Sequence, residues 1–250
     1  MADPVIRISH LRKRLNGTDV LRDVSFEVLA EEIFVIMGPS GTGKSVLLRN
    51  LIGLLRPDEG EILIWNEPVH AMREEEFDRL RLRMGVVFQS TALFDSLTVG
   101  ENIAFPMRRH RQMNRRMIRT EVLDLLSLVG LEAAVDRMPA MLSGGMRKRV
   151  AIARALALDP DLVFYDEPTS GLDPPTSRDV DALIARLGRE LGVTSVVVTH
   201  DLATAFGIGD RMAVLAGGAL LAIGTPAQIR ADQRPEVQRF INPGGLEERA

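Results

Sequence analysis

The run Gly38-Pro39-Ser40-Gly41-Thr42-Gly43-Lys44-Ser45 constrains this chain more than any other stretch. It sets a glycine, four residues and then Gly-Lys-Ser between an apolar run at 33–37 and a helical pattern at 44–55 closed by Pro57. A segment apolar at every position reads as a strand buried on both faces, the habit of parallel sheets. Glycines let successive backbone N–H groups curl around an anion, and the helix that starts there adds the positive end of its dipole. Strand, glycine-rich turn and helix together are the setting in which this spacing cradles phosphates; the plain alternative is a turn with a solvated lysine. Lys44 reaches β- and γ-phosphates, and the Ser45 hydroxyl ligates Mg²⁺. The loop specifies a nucleoside triphosphate and leaves the reaction open.

Around that loop the pattern alternates between sheet and helix. Segments 5–11 and 20–28 read as strands joined by a turn at Asn16-Gly17. Further strands are expected at 61–65, 85–88, 162–165, 194–198, 212–215 and 219–223, with a helix between those at 162–165 and 194–198. From 99 to 158 the period is helical, with Ile118, Val122, Leu125, Leu126 and Val129 on one stripe, Asn114 as N-cap and Gly130 as terminator. The expectation is an open α/β core interrupted by an all-helical insert and followed by a short tail.

Composition narrows the function classes. Lys and Arg number 31 against 34 Asp and Glu, a net charge of −3, so no strong field points to nucleic acid. Cysteine is absent, which removes disulfides, thiol nucleophiles and thiolate metal sites and fits a reducing compartment. The first fourteen residues carry charges too early for a secretory signal, and runs such as 33–37 and 195–198 fall far short of the roughly 20 residues of a membrane helix. The chain reads as soluble, with any link to a membrane running through a partner.

The segment 162–167 is an apolar strand ending in Asp166 and Glu167. Neighbouring side chains on a strand point to opposite sides, so the two acids have different tasks: Asp166 for the magnesium shell, Glu167 for orienting a water toward the γ-phosphate. The alternative is a solvated acidic turn. Ser143-Gly144-Gly145-Met146 opens a helix expected over 146–158, a second anion-directed helix start in one chain. If the insert projects from the core, two such ends meet only across a two-fold pair, Ser143 of one copy facing the γ-phosphate held by Lys44 of the other. An ordinary Ser-Gly cap is the plain alternative.

With these motifs in this order, the chain resembles an ABC-type ATPase over nearly its whole length. The resemblance implies a P-loop NTPase (RecA-like) core with an N-terminal antiparallel β subdomain and an inserted all-helical subdomain. It divides the chain into a core part at 1–89, a helical subdomain at 90–158, a second core part at 159–225, and a C-terminal helix and tail at 226–250. It implies ATP and Mg²⁺ as cofactors, with Gln89 touching the metal and relaying to a membrane partner. It makes His200 a γ-phosphate contact, and Ser170-Gly171-Leu172-Asp173 the loop that crosses a dimer interface, so that Asp173 joins Ser143, Gly144, Gly145 and Met146 in reaching a second copy's ATP. Lys44, Glu167 and His200 form the catalytic set. The chain departs from the family pattern at Met146, where most members carry glutamine, and at Leu15, where an aromatic ring usually stacks on adenine. Leu15 covers a base only by dispersion, so use of GTP stays open.

Within the family, the run 88–99, Glu101-Asn102, Ala104-Phe105-Pro106 and the Leu-Ser-Gly-Gly-Met variant at 142–146 resemble the ATPases of Mla/Mce-type lipid transporters. So does a tail at 235–250, which in such systems contacts the neighbouring ATPase. The implied partners are a second copy in head-to-tail array, an integral membrane permease, a periplasmic lipid-binding MCE subunit and a small cytoplasmic STAS-like subunit. The implied place is peripheral, on the cytoplasmic side of the inner membrane. An importer ATPase for an amino acid or metal shares every catalytic residue. A DNA-repair or translation ATPase usually needs a second nucleotide domain, long coiled coils or a basic face, and a P-loop kinase or GTPase needs no Ser143-Gly144-Gly145. Arg108-Arg109-His110-Arg111 with Arg115-Arg116 reads either as a solvated face or as a contact for anionic headgroups or an acidic partner. Trp65, Tyr165 and the scattered methionines read as packing.

Overall fold

The computed structural model describes residues 4–242. In chain order the elements are β1 (Pro4–Leu15), β2 (Thr18–Leu29), β3 (Ile33–Met37), α1 (Lys44–Leu51), β4 (Glu59–Ile64), β5 (Glu67–Pro68), α2 (Glu74–Arg81), β6 (Met84–Val87), α3 (Val99–His110), α4 (Arg115–Leu128), α5 (Gly144–Ala155) and β7 (Leu162–Asp166). Then follow α6 (Pro174–Leu191), β8 (Thr194–Thr199), α7 (Leu202–Ile208), β9 (Arg211–Ala216), β10 (Ala219–Gly224), α8 (Pro226–Ala231) and α9 (Pro235–Ile241). No helix among the described residues is long and apolar enough to cross a membrane. The chain forms two compact units, 1–77 with 194–250, and 78–193.

In the first unit β2, β1, β4 and β5 form an antiparallel sheet, and Asn16 and Gly17 both take positive φ, as a two-residue turn between twisted strands requires. A second sheet runs β10-β9-β3-β8, with β3 parallel to both β8 and β9. All five residues of β3 and all six of β8 are buried, and β3 shows the continuous apolar pattern of a central parallel strand. The sheets meet where Phe26 of β2 stacks on Phe34 of β3, centroids 5.1 Å apart. The Arg211 guanidinium covers Phe34 and pairs with Glu32 at 2.9 Å. The Arg22 N–H donates to the Gly218 carbonyl at 2.7 Å, tying β2 to the β9–β10 turn. Helix α1 stops short of the expected 44–55 because the N–H groups of Gly53 and Leu54 close back on the carbonyls of Asn50 and Arg49.

In the second unit β6 and β7 pair in parallel. Helix α5 packs on α3, α4, α6 and β6, with Val150, Ala151, Ile152 and Ala153 fully buried. It begins two residues before the expected 146 and ends at Ala155, because Ser143 itself is the N-cap, accepting the Met146 N–H at 3.2 Å. Asn114 caps α4 as expected, through the Met117 N–H at 3.0 Å. Asn102, fully buried, donates to the carbonyls of Phe94, Leu97 and Thr98 and accepts the Phe94 N–H, stapling the 94–98 loop onto α3. Phe94 and Phe105 pair at 4.9 Å on the surface of this unit. Trp65 is half-buried, with its backbone in the left-handed region at φ 51, and Tyr165 is buried as expected.

Candidate nucleotide site

The phosphate loop joins β3 to α1 in the first unit. Its crown, Pro39-Ser40-Gly41, is exposed, whereas Gly38, Gly43 and Lys44 are buried. A Cβ on Gly38 would stand 2.0 Å from the Leu215 carbonyl oxygen, so only glycine fits against β9 there. The Lys44 ammonium donates to the carbonyls of Gly38 and Pro39 at 2.8 and 2.9 Å, standing inside the curve of the loop. Thr42 closes the turn by donating its hydroxyl to Pro39 at 2.9 Å. Helices α3, α4, α5, α6, α7 and α8 each have a side chain capping the N-terminus. Helix α1 has Gly43 at that position, at φ 100, which offers no side chain. A helix start bordered by glycine, with a lysine inside the loop, is the form that receives a phosphate.

Met37 pairs with Thr199 across β3 and β8, which sets exposed His200 beside the start of the loop. The turn after His200 is fixed by the Asp201 N–H, donating to the Thr199 hydroxyl at 3.0 Å. Val20 lies against Gly43, its carbonyl 2.8 Å from a would-be Cβ, so the β1–β2 hairpin that carries half-exposed Leu15 flanks the loop. The first unit therefore gathers Leu15, Gly38, Pro39, Ser40, Gly41, Thr42, Gly43, Lys44, Ser45 and His200.

The second unit gathers the others. Asp166 ends β7 half-buried; Glu167 follows, buried, in the left-handed region at φ 48. The exposed Gln89 side chain donates to the Ser170 hydroxyl at 3.2 Å. The Ser170 N–H donates to the Glu167 carbonyl at 3.1 Å. Asp173 caps α6, its carboxylate accepting the Thr176 hydroxyl at 2.7 Å and the Thr176 N–H at 3.2 Å. Those bonds, the hydroxyl first, hold its pKa below the ordinary carboxylate value. Gly144 and Gly145 have a purpose the sequence did not disclose: a Cβ on Gly145 would lie 2.4 Å from Thr176 Cγ2, and one on Gly144 3.1 Å from Leu172. The bare start of α5 thus packs directly on the 170–176 loop. Ser143 remains exposed, its oxygen accepting from Met146 while its hydroxyl proton is available to donate.

Two cations on α5, buried Lys148 and half-buried Arg154, went unread in the sequence. Lys148 donates to the carbonyls of Gln89 at 2.7 Å and Glu167 at 3.2 Å; burial pushes its pKa down, while Asp166 and Glu167 pull it up. Arg154 donates to the carbonyls of Ala92 and Thr91 at 2.6 and 2.9 Å, holding two consecutive residues at positive φ. Their signal was a cation on the apolar face of a helix. The basic cluster divides: Arg111 pairs with Asp159 at 2.5 Å, whereas Arg108, Arg115 and Arg119 line a groove of about 320 Å³ with Ala104, Ile118 and Val122.

The sequence profile of the family described as ABC transporter matches residues 21–170. The chain belongs to the ABC transporter family. It is 41% identical over 223 residues to the intermembrane phospholipid transport system ATP-binding protein MlaF of Escherichia coli K12, covering 89% of this chain and 83% of that one. It is 39% identical over 237 residues to the probable ribonucleotide transport ATP-binding protein mkl of Mycobacterium leprae, 95% of this chain and 68% of that one. The chain spans 66% of the corresponding Mycobacterium tuberculosis protein. Its fold is similar to that of MJ0796, an ATP-binding cassette solved as a dimer in a post-hydrolysis state with ADP and Pi. The TM-score is 0.81 and the identity 33%, over 88% of this chain and 98% of that chain. Within the ABC transporter family the chain is an ATP-binding, ATP-hydrolysing subunit. The oxygen donors at Ser45, Gln89 and Asp166 are of the kind Mg²⁺ takes alongside nucleotide phosphates.

Proposed function

We propose that two copies of the chain stack head to tail, each completing the other's ATP site, and that closure and hydrolysis energise phospholipid movement through a membrane permease. The observation that carries this reading is the occurrence in one chain of two glycine-bordered helix starts of the kind that binds phosphate, α1 behind Gly43 and α5 at Ser143-Gly144-Gly145. The dimeric state of MJ0796 supports the pairing, and the name of the MlaF relatives supports the cargo.

In this reading the loop amides and Lys44 bind the β- and γ-phosphates. Ser45, Gln89 and Asp166 would hold Mg²⁺, which neutralises phosphate charge when bound. Glu167 orients the attacking water and accepts its proton, and His200 donates to the γ-phosphate. The second copy offers the Ser143 hydroxyl and the N–H groups of Gly144, Gly145 and Met146 across the interface, with Asp173 beside them. Leu15 covers the base. The core divides at 89, 158 and 225, as the motif order implies, and the permease seats near Gln89 and the 93–99 loop. The permease holds the chain at the cytoplasmic face of the inner membrane, with an MCE subunit and a STAS-like subunit in the assembly. Of the tail expected at 235–250, residues 243–250 lie outside the described residues.

E167Q is expected to bind ATP, accumulate as a closed dimer and turn over slowly; hydrolysis at the wild-type rate would remove Glu167 from its assigned role. Cargo is decided by extracting the chain from membranes with its native partners. Co-extracted phospholipid and an MCE subunit support the proposal. A ribonucleotide, as the name of the mkl relatives suggests, or an amino acid or metal permease overturns the lipid assignment and leaves the ATPase intact.

A further inference from the structure

Lys148 is 4% exposed, yet it is an ammonium placed among backbone carbonyls in the second turn of α5. Burying such a charge is costly unless its donors are satisfied. Here they close a ring. Lys148 bonds the carbonyls of Gln89 and Glu167; the Glu167 carbonyl also takes the Ser170 N–H; and the Ser170 hydroxyl takes the Gln89 side-chain amide. Glu167 lies at φ 48, a conformation that a residue with a Cβ keeps only when its surroundings hold it. Two of the contacts on the Glu167 carbonyl are the holding groups. Any displacement of the 89–92 loop therefore pulls on the same ammonium that fixes the backbone of Glu167.

We infer that Lys148 is a positioning residue, joining the Gln89 loop to the backbone of Glu167 so that motion of the loop sets the placement of the carboxylate that orients water. The inference rests on the role proposed above for Glu167. Lys148 touches neither nucleotide nor water in this scheme; it acts through Glu167. Its loss should thus slow the chemical step and leave ATP binding alone.

The test is K148M and K148R, each alone and in the E167Q background, with kcat and KM for ATP measured on purified chain. Circular dichroism and ATP binding serve as folding controls. K148M is expected to lower kcat roughly ten- to a hundred-fold, the range for losing hydrogen bonds from a charged donor, with KM within about twofold of wild type. K148R keeps the charge and two parallel donors and should recover most of kcat. In the E167Q background K148M should change the residual rate little, since the residue it acts through is already lost. A folded K148M with wild-type kcat, or one whose loss lies in KM, overturns the inference. So does a K148M factor that multiplies unchanged onto E167Q, which marks a merely structural residue. If K148M does not fold, K148Q takes its place under the same criteria, and failure of both to fold assigns Lys148 to folding alone. Wild-type turnover by E167Q is a separate result, which refutes the assignment of Glu167 itself.

Discussion

Substituting Gly145 with alanine puts a methyl 2.4 Å from Thr176 Cγ2, against a comfortable carbon–carbon separation of about 3.5–4.0 Å. Either the start of α5 retreats from α6 by about 1 Å, or Thr176 rotates and surrenders the 2.7 Å bond from its hydroxyl to Asp173. Overpacking of this kind costs about 1–3 kcal/mol, partly offset by up to about 1 kcal/mol of helix propensity when glycine becomes alanine. T176S removes the offending methyl and keeps the hydroxyl. The next atom of residue 176 then stands 3.9 Å from the new Cβ, an ordinary contact. In wild type G145A should therefore destabilise, whereas in T176S it should be neutral or stabilising, a coupling of at least about 1 kcal/mol. Urea unfolding followed by circular dichroism on the four proteins of the cycle measures it. Equal ΔΔG for G145A in both backgrounds would refute the argument that Gly145 is dictated by Thr176.

Three further outcomes are expected. S143R should leave ATP binding by the isolated chain within about twofold and abolish turnover, and normal turnover refutes the composite site. N114A should cost about 1 kcal/mol in unfolding free energy through the lost cap on α4, with ATPase activity unchanged; a neutral result in denaturant titration contradicts the cap. Asp173 has its pKa lowered, so its contribution is present above the unfolded value of 3.8 and is lost as pH falls through the folded value. D173N keeps the capping oxygen without the charge, so its stability should trail wild type near neutrality and converge with it in acid. A constant gap across that titration contradicts the assignment.

The parts of this molecule that were legible are those in which a local rule and the tertiary outcome agree. β3 is apolar at each position and is the central strand; Asn114 and Ser143 are cap residues and do cap. Helix α2 escaped because Glu74-Glu75-Glu76 masks its stripe, leaving Phe77 and Leu80 as its buried anchors. β5, two residues including a proline, has no pattern of its own and exists through its pairing with β4. Thr91 and Ala92 at positive φ defy propensity; the Arg154 guanidinium, distant in sequence, stabilises them. Gly144 and Gly145 were read as phosphate-directed, and nothing in the local pattern could name Leu172 and Thr176 as the reason for their bareness.

The missing cap on α1 has a thermodynamic corollary. Six other helices carry a side-chain cap at their start, whereas α1 begins behind a glycine, which lets a phosphate approach its backbone. A subunit that binds nucleotide in its folded state gains stability on loading, about 2.7 kcal/mol when nucleotide stands a hundredfold above its dissociation constant. The empty subunit should be the softer, more protease-sensitive form, so the cell's supply of triphosphate would act as a folding ligand as well as a fuel.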